Sequence, residues 1–128
     1  MGARTTWEIR TYSDSPSIYL YSHWGGDSKW SDTAAALAAA EPRWGDPSYG
    51  ARIFISQIVG REWDQETGFG IVAGPAGDCP FEESYFSMVI DFSSRQVITG
   101  QRIFTFEDFL KSEDFSEDEV TEFWNENA

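Results

Sequence analysis

Residues 86–105 read Phe86-Ser87-Met88-Val89-Ile90-Asp91-Phe92-Ser93-Ser94-Arg95-Gln96-Val97-Ile98-Thr99-Gly100-Gln101-Arg102-Ile103-Phe104-Thr105, and this stretch decides the fold. Phe86, Met88, Ile90 and Phe92 alternate with Ser87, Val89 and Asp91, the period of a strand with one apolar face. Ser93-Ser94-Arg95 turns that strand into Gln96–Thr99, and Gly100 turns again into Arg102–Thr105. Three short runs separated only by turn residues predict an antiparallel meander.

Upstream, Trp7-Glu8-Ile9-Arg10-Thr11 alternates in the same way, and Ser13-Asp14-Ser15-Pro16 is turn chemistry. A second strand runs from Ile18 to about His23, with Ile18 and Leu20 on one face and Tyr19, Tyr21 and His23 on the other. Together these predict an N-terminal hairpin. Ser31 or Asp32 is placed to cap a helix from about Thr33 to Ala40, ended before Pro42. Asp46 and Pro47 open another, in which Ala51, Phe54, Ile55, Ile58 and Val59 recur as a buried stripe before Gly60. Gly68–Ala73 reads as a short strand and the run GPAGDCP as a loop. Downstream of the meander, Phe106, Phe109 and Leu110 share one side of a helix. Ser116 with Glu119 forms a capping box for a last one, docked by Val120, Phe123 and Trp124. The expected fold is α+β: a largely antiparallel sheet, N-terminal hairpin plus C-terminal meander, with helices packed on one face. Residues 1–128 are expected to form a single domain with an acidic helical segment at about 106–128.

Charge narrows the function classes. Nine Lys and Arg stand against 22 Asp and Glu, a net charge of −13, so neither an electrostatic grip on nucleic acid nor attraction to an anionic membrane is expected. Residues 107–128 hold nine acids against Lys111 alone, a net of −8 in the last sixth of the chain. The N-terminus lacks the apolar stretch of a signal peptide, and nothing approaches the roughly 20 apolar residues of a spanning helix. Met1-Gly2 with Thr6 matches the short and degenerate myristoylation pattern. The single Cys79 excludes an internal disulfide and suits a reducing, cytoplasmic setting.

Catalytic patterns are sparse. His23 is the only imidazole, and no nucleophile signature surrounds Cys79. Asp14 with Asp27-Ser28-Lys29 only loosely matches a metal-dependent nuclease motif, because both acids fall in turns or loops. No EF-hand or P-loop spacing occurs, and no metal or cofactor is implied. The aromatic load is the stronger signal: six tryptophans, of which loop members can stack on ligands or anchor an interface. Tyr21, His23, Trp24 and Trp30 are the candidate lining of a ligand pocket where the second strand enters a Gly-rich loop. Arg43, Arg52 and Arg61 could supply a phosphate partner.

Gly2-Ala3-Arg4-Thr5-Thr6, followed by Ser22-His23-Trp24-Gly25-Gly26 at the end of a strand, resembles a group of small tailed-bacteriophage proteins. Those open with Gly-x-Arg-Ser/Thr and carry His-Trp-Asp-Gly ahead of a helix. The likeness covers about residues 2–26; Gly25 stands where the group has Asp, so any role of that Asp has no counterpart here. The group lends no activity and no catalytic residue. The resemblance implies provenance: a phage accessory protein acting in a bacterial host cytoplasm.

Two functional expectations follow. The first is a non-enzymatic accessory protein that binds and modulates a host protein with a basic surface, one that grips nucleic acid or serves in defence. Glu117, Asp118, Glu119, Glu122 and Glu126 would steer it and Trp124 would anchor it. The acidic row could also mimic a phosphate backbone. The second is a small-ligand or nucleotide-sequestering module using the Tyr21, His23, Trp24 and Trp30 pocket. A metal-dependent hydrolase ranks last, and the oligomeric state is left open.

Overall fold

A computed structural model describes residues 5–23, 29–81, 86–100 and 102–112. Six strands form one mixed sheet: β1 (Thr5–Arg10), β2 (Ser17–Ser22), β3 (Phe69–Gly74), β4 (Phe86–Asp91), β5 (Gln96–Thr99) and β6 (Arg102–Thr105), in the order β3-β2-β1-β4-β5-β6. Helices α1 (Lys29–Ala39) and α2 (Pro47–Val59) join β2 to β3, and α3 (Phe106–Lys111) follows β6. The fold is α+β. Among the described residues no helix is long and apolar enough to cross a membrane.

The hairpin and the meander both form, in antiparallel register. The one departure from antiparallel pairing is central: β1 and β4 run parallel, with Trp7 beside Met88 and Ile9 beside Ile90. Its cause is topological. β3 takes the outer edge of β2, so the meander docks on the free edge of β1 instead. β3 and β4 both run parallel to β1, so the segment between them must cross over β2 and β1. Its described part, residues 75–81, lies on the sheet face away from the helices, against Glu8, Tyr19 and Tyr21.

The helix side carries the core. Trp7, Ile9, Leu20, Met88, Ile90 and Val97 meet Leu37 and Ala40 next to Phe54, Phe106 and Phe109, all buried. Helix α1 begins at Lys29 rather than near Thr33. Trp30, Thr33 and Leu37 fall at i, i+3 and i+7, so the stripe that docks the helix starts before the expected cap. Thr33 bonds within that helix: its hydroxyl donates to the Lys29 carbonyl and accepts the Trp7 indole N–H at 2.8 Å. Helix α2 starts and stops where expected, with Pro47 in its first turn and Gly60 at its C-cap. The Thr105 side chain caps α3 by accepting from the Asp108 N–H at 3.0 Å.

One glycine fixes the approach of α2. A Cβ at Gly50 would lie 2.7 Å from the Arg43 carbonyl oxygen and 2.8 Å from the Phe92 ring. Helix propensity alone favours Ala there by about 1 kcal/mol, but overpacking of a buried contact costs about 1–3 kcal/mol. Gly50→Ala is therefore expected to destabilise the protein, read as a lower urea midpoint with an unchanged m-value.

Candidate binding cleft

Alternation along β1 turns Trp7 and Ile9 toward the helices and Thr6, Glu8 and Arg10 toward the other face. Register sets Tyr19 and Val89 on either side of Glu8, and Tyr21 opposite Thr6. The crossover after β3 then closes over this row. The Tyr19 hydroxyl donates to the Pro75 carbonyl and accepts the Asp78 N–H at 3.1 Å. The Gly77 N–H donates to Glu8 Oε2 at 3.0 Å. Gly77 has φ +78, a backbone region open to glycine at little cost, and this bend turns its N–H onto the carboxylate.

Glu8 is only 6 % exposed. Its Oε2 also accepts from Ser17 Oγ at 2.7 Å and from Arg10 Nε at 2.8 Å. Burial pushes the carboxyl up, but the bonds from Arg10, Ser17 and Gly77, with the charge of Arg10, outweigh it and hold it below the ordinary 4.5. It is an anion at neutral pH. Burial, reinforced by the Glu8 charge, raises the Tyr19 phenol above its usual 10, so its hydroxyl keeps the proton it donates.

Between crossover and sheet lies a cleft of about 260 Å³, lined by Thr6, Glu8, Arg10, Tyr19, Gly77, Cys79 and Val89. Two of its lining residues carry an acceptor that is uncommitted among the described residues. All three bonds to Glu8 use Oε2, leaving Oε1, and the buried Thr6 hydroxyl has no partner. Asp91 pairs with Arg10 in register and adds a second negative charge near it, so Glu8, Arg10 and Asp91 together carry one net negative charge. Among the described residues no three His, Cys, Asp or Glu side chains gather as a metal cage would need.

The pocket residues expected from sequence separate. Tyr21 and His23 come together on the cleft's face of the sheet, the Tyr21 hydroxyl and His23 Nδ1 being hydrogen-bonded at 3.0 Å, with the Phe81 ring 5.4 Å from that of Tyr21. Trp30 lies on the opposite side, in the core, stacked on Phe109 at 4.7 Å. Trp24 lies outside the described residues, as do Glu117, Asp118, Glu119, Glu122, Trp124 and Glu126. Of the phosphate-partner arginines, Arg43 covers the Tyr49 ring and Arg52 bonds Ser56, both in the helical layer. Trp7 and Trp44 are core residues, and Trp63 is 78 % exposed.

Thr6, Glu8, Arg10 and Gly77 form no recognisable motif in the sequence. A carboxylate in a strand between two partners was the available signal, since acids are depleted from strands. Comparison with family models, curated proteins and solved structures returned no match to this chain.

Proposed function

We propose that the chain is a small-ligand binding module whose cleft over Glu8 takes a compact molecule bearing a cationic N–H donor group, an amine or guanidinium. The observation that carries this reading is the pair of uncommitted acceptors, Glu8 Oε1 and the buried Thr6 hydroxyl, on two residues that line one cleft. A buried hydroxyl without a partner costs about 1–3 kcal/mol, and a ligand N–H would offset that cost. The local net negative charge favours a cation and works against the phosphates of a nucleotide.

Methylguanidinium titrated into ¹⁵N-labelled protein tests this reading. Saturable shifts of the Gly77 and Thr6 amides are expected. Glu8→Gln keeps an acceptor for Arg10, Ser17 and Gly77 but places an NH₂ at the Oε1 position, and it is expected to abolish the shifts. The same shifts in folded Glu8→Gln, or none in the wild type, would overturn the assignment.

A second reading rests on the charge distribution: the net of −8 in residues 107–128 supports docking of a basic host protein, as a phage accessory factor in a bacterial cytoplasm. Exchanging Glu117, Asp118, Glu119, Glu122 and Glu126 for their amides in the full chain is expected to abolish capture of that partner. Salt is expected to weaken the wild-type complex steeply. Capture that survives both changes would refute it.

A further inference from the structure

We infer that the open edge of β3 is a self-complementary surface that pairs with β3 of a second copy, extending two sheets into one. β3 ends the sheet beyond β2. The Gly68 carbonyl accepts the His23 N–H, so Gly68 and its even-numbered successors turn their backbone groups toward β2. Phe69, Ile71 and Ala73 turn theirs to the open side. Ile71 is 61 % exposed, and Val72 and Ala73 are exposed beside it.

Among the described residues this edge lacks the charges and prolines that keep sheet edges apart. Residues 68–77 contain no charged side chain, and Phe69–Gly74 contains no proline. The opposite edge, β6, carries Arg102. In a chain of net charge −13, an uncharged edge is where two copies approach with least repulsion.

The register is self-complementary. A two-fold axis through Ile71 sets Ile71 against Ile71 of the second copy and Phe69 against Ala73, with like faces of the two sheets aligned. The outward groups of three residues per copy then exchange about six backbone hydrogen bonds. Isolated extended peptides of other proteins could read the same edge, but a second copy brings an identical uncharged strand to it in this two-fold register.

Sedimentation of the full chain tests it. A dimer is expected at about 100 μM, tightening as salt rises and screens the two acidic copies. Ile71→Lys sets like charges opposite each other on the axis and is expected to weaken association roughly tenfold or more. Ile71→Pro removes an outward N–H and spares the bonds to β2, so it should give a monomer with the wild-type circular dichroism spectrum. A wild type that stays monomeric at all salt concentrations, or two folded variants that remain dimeric, would overturn the inference.

Discussion

Phe106→Ala is expected to cost about 3–5 kcal/mol, the range for emptying a buried aromatic site. Phe106 is fully buried where β6 hands over to α3, with its ring 5.3 Å from Phe92 and 5.1 Å from Trp44. Its N–H donates to the Arg95 carbonyl at 3.0 Å, so the backbone holds position and little collapse can fill the space. The loss falls at the junction of meander and helical layer, which makes it a test of the architecture. Urea unfolding should show a large fall in midpoint, while Trp63→Ala, at a side chain 78 % exposed, should stay within about 0.5 kcal/mol of wild type.

Glu8→Ala is expected to cost about 3 kcal/mol, because it strips a buried carboxylate from Ser17 Oγ, the Gly77 N–H and Arg10 together. Arg10 is partly exposed and can turn to water; buried Ser17 cannot. The pH dependence has a definite sign. Since the folded carboxyl lies below its ordinary 4.5, the unfolded chain binds that proton more tightly. Its stabilisation is complete above about pH 4.5 and is lost as pH falls through the folded value. The stability gap between wild type and Glu8→Gln should therefore narrow on acidification, measured by urea unfolding from neutral pH downward. A gap that widens would contradict the ion-pair geometry.

Local periodicity explains which parts of this fold were legible. Met88, Ile90 and Phe92 alternate with Val89 and Asp91 up to a run of turn residues, and Ala51 and Phe54 recur at helical spacing, so the meander and α2 stand in the sequence almost as they stand in space. The parallel pairing of β1 with β4 was not legible, because partners about eighty residues apart leave no local trace of their register. Trp30 misleads for a related reason. Between Lys29 and Ser31 it looks like a loop aromatic, yet its spacing to Thr33 and Leu37 turns it into the core. The cleft was hidden most completely. Thr6, Glu8 and Arg10 read as the wet side of a strand until the crossover is laid over them, and that path follows from sheet order.

Thr6 holds an unpaired hydroxyl for a ligand at the expense of stability, beside a Glu8 carboxylate that stabilises the fold and keeps Oε1 uncommitted. Urea unfolding of Thr6→Val, with and without about 20 mM methylguanidinium, tests it most directly, since a ligand that binds only the folded state raises its stability. Valine removes the unpaired hydroxyl at nearly constant shape, so the variant should be more stable than wild type by about 1 kcal/mol without ligand. It should gain nothing from methylguanidinium, whereas the wild type should gain. Thr5→Val, at the other unpartnered buried hydroxyl and on the helix side, should be stabilised in the same way and keep the response. A Thr6→Val protein that is less stable than wild type and still stabilised by methylguanidinium would contradict the account.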